Sequence, residues 1–164
     1  MPLTLRTYTP EDFDTLYKID QACYEPAIAY SKRELRNYLR FPGADCVIAE
    51  AEAENEPAAK IAGFCMSAHQ DARGYIITID VLEEFRRHGV GSMLLAEVER
   101  RLASHTVKEI GLETATDNDS AIAFWQKHGY RTRGVWKAYY PGPRDAFSMT
   151  KSIAQSAAAS KARP

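Results

Sequence analysis

One segment constrains the fold of this chain more than any other, because an apolar run is followed by a glycine-bearing turn and an amphipathic helix. The run 75–81 reads YIITIDV, and nearly every residue in it is apolar or β-branched, which is typical of strands. We predict a central strand that is buried on both faces. Apolar residues then recur at helical spacing, namely Val90, Leu94, Val98 and Leu102. Because another strand pattern follows at 109–114, the order predicts a βαβ-like unit with a right-handed crossover.

Strand-like and helix-like patterns alternate along the rest of the chain, as is typical of a mixed α/β domain. Runs rich in β-forming residues predict strands at 3–8, 45–50, 61–67, 131–140 and 146–151. The first of these reads as an edge strand, and the last two read as a terminal hairpin. Capping signals predict helices over 9–23, over 31–40 and from the polar group 117–120 to Gly129.

Composition limits the chain to one ordinary domain and excludes several classes of partner. Its 164 residues are 45% hydrophobic and 26% charged, so we expect a single domain over 1–153 and a disordered tail over 154–164. The 21 basic and 22 acidic residues give a net charge of −1, which provides no basic field for nucleic acid or anionic lipid. We also find no run that approaches the ~20 apolar residues of a membrane span.

The cysteines point to a reducing compartment. Cys23, Cys46 and Cys65 are odd in number and lack the spacing of a metal-ligand motif. We therefore expect neither a disulfide scaffold nor a metal site, and we expect a cytoplasmic protein.

The turn between the apolar run and the amphipathic helix has the composition of an anion cradle. It consists of Arg86, Arg87, His88, Gly89, Val90, Gly91 and Ser92. Glycines at a helix start let the backbone approach a bulky anion, and the free first-turn amides bind its charge. Neither a Walker motif nor a complete dinucleotide fingerprint is present. A glycine-rich connection without a ligand is the alternative.

The segment 79–130 resembles the Gcn5-related N-acetyltransferase (GNAT) family. Arg86, Gly89 and Gly91 match the family pattern Arg/Gln-x-x-Gly-x-Gly/Ala, and 118–130 resembles its Asn-x-x-Ala-x-x-Phe-Tyr-x-x-x-Gly-Phe block. The resemblance implies a mixed central sheet of six to seven strands flanked by about four helices, with acetyl-CoA as co-substrate. It assigns acetyl-CoA binding to Ile79, Asp80, Val81, Arg86, Arg87, His88, Gly89, Val90, Gly91, Ser92, Asn118, Ala121 and Trp125. Asn118 has a helix cap as its alternative role, and one of the two arginines is expected to face solvent.

A narrower similarity concerns the end of the chain. The series Leu112-Glu113-Thr114, Asn118, Tyr139-Tyr140-Pro141, Asp145-Ala146 and Met149 resembles the N-terminal acetyltransferases of the ribosomal-protein-alanine type. That resemblance implies transfer of acetyl to a protein N-terminal α-amine, with Glu113 as the general base. A surface carboxylate is the alternative role of Glu113.

One departure from that pattern bears on the chemistry. Trp125 stands where those enzymes have a tyrosine acid, and an indole cannot supply a proton as a phenol does. Either the CoA thiolate leaves without a protein acid, or Tyr130, Tyr139 or Tyr140 replaces it, or activity is weak or altered. Tyr139 and Tyr140 are also candidates for lining the acceptor site, with core packing as their alternative.

Two other functions stay open at this point. The acceptor can be a small amine or a lysine side chain instead of an N-terminus. The chain can also be a regulatory domain that binds CoA without turnover. We expect a monomer or a homodimer.

Overall fold

The computed structural model describes residues 2–154, and these contain seven strands and four α-helices. The strands are β1 (Leu3–Thr7), β2 (Asp45–Ala51), β3 (Lys60–Gln70), β4 (Arg73–Val81), β5 (Glu109–Ala115), β6 (Arg131–Tyr140) and β7 (Arg144–Ser152). The helices are α1 (Phe13–Cys23), α2 (Lys32–Leu39), α3 (Val90–Ser104) and α4 (Asp119–Lys127). The predicted tail lies, from residue 155 onward, outside the described residues. No helix in residues 2–154 combines the length and the apolar content needed to cross a membrane.

The strands form one mixed sheet in the order β1-β2-β3-β4-β5-β7-β6. β4 and β5 are parallel and pair through Arg73–Tyr75 and Glu109–Gly111, as the predicted βαβ-like unit requires. β1 and β6 lie at the two ends of the sheet. The predicted edge strand, terminal hairpin and mixed sheet are confirmed.

The chain forms two compact units. The first comprises Ile76–Arg101 with the described residues up to Ala68, and the second comprises His69–Tyr75 with the described residues from Leu102 onward. The core of the first unit consists of side chains from α1, α2, β2 and β3, namely Phe13, Leu16, Ile19, Leu35, Cys46, Ile48, Phe64 and Met66.

Local capping explains where the first two helices begin. α2 follows a capping box, in which Ser31 Oγ accepts the Glu34 N–H and Glu34 Oε1 accepts the Ser31 N–H, both at 3.1 Å. The helix predicted from residue 9 instead begins with a 3-10 turn, and α1 starts only at Phe13. The Asp12 carboxylate accepts the Thr9 N–H at 2.9 Å, which holds the chain in that tighter turn.

The prediction that 75–81 is buried on both faces was wrong. Along β4, Ile76, Thr78 and Asp80 are buried, whereas Ile77 and Ile79 keep partial exposure. Side chains alternate between the two faces of a strand, so only one face of β4 is fully covered. An apolar run does not reveal this difference, because its isoleucines tolerate both environments.

Candidate functional site

The turn between β4 and α3 has the backbone geometry of an anion cradle. Arg87 (φ +66°) and Gly89 (φ +78°) lie in the left-handed region, and α3 begins one residue later at Val90. The Gly89 carbonyl accepts the Met93 N–H at 3.0 Å, which is the first helical bond. The N–H groups of the first helical turn have no partner within a helix, and the helix dipole makes this end electropositive. The 15-residue helix α3 therefore presents an electropositive end at the residues predicted to form the anion cradle.

The side chains of this segment divide into those that face solvent and those that are buried. A Cβ atom added to Gly89 would meet nothing within 4 Å, so glycine serves the backbone angle there and not a lack of space. His88 is exposed, but Val90 is buried in the core. Val90 and Asp80 can therefore contribute only backbone groups to a ligand.

Arg86 connects the turn to β4. Its Nε donates a hydrogen bond of 2.9 Å to the Val81 carbonyl. A guanidinium carries five N–H donors, so this bond leaves others that can reach a phosphate. Arg86 thus anchors the turn to the end of the strand.

Two tyrosines that sequence reasoning missed bind alternate carbonyls of β4. Tyr30 donates to the Ile77 carbonyl at 3.3 Å, and Tyr24 donates to the Ile79 carbonyl at 3.2 Å. The carbonyls of alternate residues point to the same edge of a strand. The segment after α1 is therefore hydrogen-bonded along this edge of β4. No local motif marks these tyrosines, because their partners lie about 50 residues away.

Two buried carboxyl groups form a pair in the first unit. Asp20 and Asp80 are both 0% exposed. Asp20 Oδ2 accepts the Tyr30 N–H at 2.7 Å, and Asp80 Oδ1 accepts the Thr78 hydroxyl at 2.6 Å. Their other oxygens have no donor among the described residues, and each carboxyl group lies close enough to the other to affect its pKa. Burial raises the pKa of both, so the pair retains a proton that the two groups share.

An open depression of about 440 Å³ lies at the carboxyl end of β4. Its lining residues are Ala22, Cys23, Leu82, Glu83 and Glu84. Two of these residues are carboxylates, of which Glu84 is ion-paired with Lys60 at 2.6 Å, so the lining does not suit a phosphate.

The second unit contains a carboxylate with the properties of a general base. Glu113 is partly buried in β5, and its Oε2 atom is buried without a donor among residues 2–154. This burial raises the pKa of Glu113 above its ordinary value. A carboxylate whose oxygen has no hydrogen-bond donor is free to accept a proton.

Tyr140 lies close enough to Glu113 for the two groups to interact electrostatically. Burial raises the pKa of Tyr140, and the neighbouring Tyr139 and Glu113 raise it further. Tyr139 is 48% exposed and contacts Tyr140 edge to face, with ring centroids 4.9 Å apart. Neither tyrosine is in the fully buried core.

The residues around α4 have mainly structural contacts. Asn118 caps the helix, since its Oδ1 accepts the Ala121 N–H at 3.2 Å, as its alternative role required. Trp125 is 5% exposed and contacts the buried Tyr130 edge to face, at a centroid distance of 5.2 Å. The burial of Tyr130 makes it unsuitable as a replacement acid at an open site.

Among residues 2–154, no group of three or more His, Cys, Asp and Glu side chains is placed to hold a metal ion. Cys23, Cys46 and Cys65 are free thiols.

The profile of the acetyltransferase (GNAT) family matches residues 13–130. This chain belongs to that family. The match includes the turn 86–92 and the block 118–130, and it confirms the family resemblance. The GNAT sheet of six to seven strands with about four helices is also confirmed.

Similar proteins of this family include an N-alpha-acetyltransferase of Saccharolobus solfataricus, which is 34% identical over 82 residues. That match covers 49% of this chain and 49% of the relative, so the chain spans about half the length of the curated relatives it matches.

Two solved GNAT structures share the fold. The Escherichia coli ribosomal-protein-S18-alanine N-acetyltransferase has a TM-score of 0.80 at 22% identity, covering 94% of this chain and 96% of that chain. Arabidopsis thaliana NAA60 in complex with acetyl-CoA has a TM-score of 0.80 at 17% identity, covering 93% and 99%.

Proposed function

We propose that this chain is an N-acetyltransferase that transfers acetyl from acetyl-CoA to the α-amine of a polypeptide. The observation that carries the proposal is Glu113, a partly buried carboxylate with a raised pKa and an oxygen that has no donor among the described residues. Membership of the GNAT family supports the reaction class, and the relatives named N-alpha-acetyltransferases support the acceptor.

The turn 86–92 is suited to the phosphates of acetyl-CoA. The α3 N-terminus offers backbone N–H groups, while Arg86 and Arg87 add positive charge beside it. Gly89 and Gly91 leave room for the ligand to approach the backbone. We assign the β4 backbone at Ile79 and Val81 to the remainder of the ligand, which would add to or replace the bonds that Tyr24 and Arg86 donate to these two carbonyls.

The proposed reaction is direct attack within a ternary complex. A C–N bond forms between the amine and the acetyl carbon, the C–S bond of the thioester breaks, and CoA leaves as a thiolate. An α-amine has a pKa of about 8, so most of it is protonated at neutral pH and must lose a proton before it attacks. Glu113 accepts that proton, directly or through water. A backbone N–H near Val81 stabilises the oxygen of the carbonyl under attack.

Tyr140 is the phenol that we assign to the departing sulfur, as a hydrogen-bond donor and not as an acid, because its raised pKa makes it a weaker acid than an ordinary tyrosine. It interacts with Glu113, and its raised pKa keeps it protonated at neutral pH. It can therefore donate a hydrogen bond to the departing sulfur. Trp125 packs against Tyr130 instead, and we assign it no part in proton transfer.

Replacement of Glu113 tests the proposed base. Glu113→Gln is expected to lower kcat by about 10²- to 10⁴-fold and to remove the part of the rise of the rate with pH that comes from ionisation of Glu113, while the part due to the amine remains. Release of free thiol from acetyl-CoA is measured with N-terminal peptides, lysine peptides and polyamines. Glu109→Gln is the matched control on the same strand, because Glu109 forms an ion pair with Arg73 at 3.3 Å. An unchanged rate and pH profile for Glu113→Gln would refute the assignment.

The same acceptor panel separates the alternatives. Turnover only with lysine peptides or polyamines would replace the N-terminal acceptor by a side chain or a small amine. CoA binding without thiol release for any acceptor would identify a binding domain without turnover.

Gly91→Glu tests the phosphate cradle. A carboxylate in the first turn favours the helix dipole, so the fold should be retained while the negative charge repels the phosphates. We expect calorimetric CoA binding to weaken at least about tenfold relative to Gly91→Gln, which adds similar bulk without charge. Equal affinity in the two variants would contradict an anion site here.

A further inference from the structure

The strand register of the second unit places an exposed aromatic side chain on the same face of the sheet as Glu113. Glu113 pairs with Ser148, and Ser148 pairs with Gly134. In the next row, Ala115 pairs with Ala146, and Ala146 pairs with Trp136. Paired residues on neighbouring strands point to the same face. We call the face that carries Glu113 and Trp136 the Glu113 face.

Small side chains separate Glu113 from Trp136 on this face. The residues between them are Ser148, Gly134, Ala115 and Ala146. Ala115 and Ala146 are buried, so the shallow trough on this face is limited to Gly134 and Ser148. A Cβ atom added to Gly134 would meet nothing within 4 Å, so the space above this glycine is open. The Gly134 backbone is outside the left-handed region, and Gly134 lies at a register shift of β6 that follows Thr132, a place where strands often carry glycine.

Trp136 is the second unusual feature of the Glu113 face. Its side chain is 57% exposed, although tryptophan is usually well buried in folded proteins. Exposed tryptophans are typical of binding hot spots, where the flat indole contacts an apolar group of a ligand. Tyr140 pairs with Arg144, and Arg144 lies two residues before Ala146 on β7. Tyr140 therefore lies on the Glu113 face as well.

The spacing between Glu113 and Trp136 corresponds to a short stretch of peptide. Neighbouring strands lie about 4.8 Å apart, and successive residues on one face of a strand lie about 6.8 Å apart. Trp136 is two strands across and one such residue along from Glu113, so the two positions are about 12 Å apart. An extended chain advances about 3.4 Å per residue. A peptide whose α-amine is at Glu113 would reach Trp136 with its third or fourth residue.

We propose that Trp136 binds an apolar side chain at the third or fourth position of the polypeptide acceptor, which lies in the trough over Gly134. This inference rests on the proposed function, since it takes Glu113 as the site of the acceptor amine. It makes the acceptor an extended polypeptide and makes Trp136 a specificity-determining residue. A free small amine gains nothing from this contact.

The test compares acceptors of different length and composition. All three acceptors begin with the two N-terminal residues that give the highest turnover in the acceptor panel. They are a dipeptide amide, a hexapeptide with leucine at positions three and four, and a hexapeptide with serine at positions three and four. The wild-type enzyme is expected to prefer the leucine hexapeptide by about tenfold in kcat/KM.

Two variants test the contact with Trp136 and the trough over Gly134. Trp136→Ser should remove the preference by raising KM at constant kcat, while turnover of the dipeptide stays within about twofold. Gly134→Val fills the trough with a residue that suits a strand, and it should have the same selective effect. Phe41→Ser is the matched control, because Phe41 is an exposed aromatic of the first unit, 61% exposed, and it should keep the preference.

Fluorescence gives a readout that does not depend on turnover. The chain has two tryptophans, and Trp125 is buried, so a blue shift on addition of the leucine hexapeptide reports contact with Trp136. If the acceptor panel shows no turnover with any peptide, the dipeptide and both hexapeptides begin with Ala-Ser. A blue shift without thiol release would support peptide binding at Trp136 and would reject the proposed function. Thiol release without a leucine preference or an effect of Trp136→Ser would reject only the peptide contact at Trp136. Absence of both thiol release and the blue shift would reject that contact and the proposed function.

Discussion

The buried pair of Asp20 and Asp80 makes a specific prediction about stability and pH. Both carboxyl groups are fully buried and each influences the other, and burial raises the pKa of each above its ordinary value of 3.8. In the unfolded chain both lose their protons near that ordinary value, whereas the folded pair keeps one. The folded state therefore binds more protons above pH 3.8. Its stability falls as the pH rises toward the raised pKa.

The magnitude follows from the number of protons involved. A difference of one proton gives a slope of about 1.4 kcal/mol per pH unit, so three pH units give at most about 4 kcal/mol. In Asp80→Asn, the amide oxygen can still accept the Thr78 hydroxyl, and the amide nitrogen can donate to Asp20 without a shared proton. The variant should lose the slope and gain stability relative to the wild type as the pH rises from 5 to 8.

Urea unfolding at pH 5, 6, 7 and 8 measures this difference directly. The wild type and Asp80→Asn are compared with Asp14→Asn, which removes an exposed carboxylate from the same helix, α1. The Asp14→Asn profile should run parallel to that of the wild type. If the Asp80→Asn profile also runs parallel, the shared proton does not exist and the reasoning is refuted.

Two further predictions concern local stability. Ser31→Ala removes the hydroxyl that accepts the Glu34 N–H, and it should lower the free energy of unfolding by about 1 kcal/mol; Ser31→Asp, which keeps an acceptor, should retain most of it in urea unfolding. Gly63→Ala places a Cβ atom against the Asp80 carbonyl and 3.1 Å from the Val81 Cα. Because both are backbone atoms, the strands must shift, and we expect a loss of about 1–3 kcal/mol in thermal unfolding.

Clear outcomes would contradict these two predictions. Equal stability of Ser31→Ala and the wild type would show that the capping box contributes nothing. Gly134→Ala is the control for Gly63→Ala, since a Cβ atom at Gly134 meets nothing within 4 Å. Similar losses in the two glycine variants would mean that the close approach at Gly63 does not determine the effect.

Local signals in the sequence predicted most of the fold. The Ser31 capping box, the apolar stripe of α3 and the glycine turn before Val90 each depend on residues close in the chain, and each has its expected structure. Alternation along β4 was missed, because isoleucine is acceptable on a buried or a partly exposed face.

The parts of the site that the sequence did not predict depend on distant partners. Asp20 and Asp80 are 60 positions apart, and neither belongs to a motif that would announce a buried pair. Trp136 and Glu113 share a face only because of the register through β7. Register is set by the packing of whole strands, so an inspection of short segments cannot reveal such pairs.

The position of β6 at the end of the sheet has a consequence for the behaviour of the protein in concentrated solution. An edge strand with exposed apolar side chains can pair with another copy and start aggregation. β6 carries Arg131, Arg133 and Lys137 among its exposed residues, and its pairing is irregular between Trp136 and Tyr140. Like charges keep two such edges apart, and the irregularity interrupts a continuous ladder. Since salt screens that repulsion, association through this edge should increase with ionic strength.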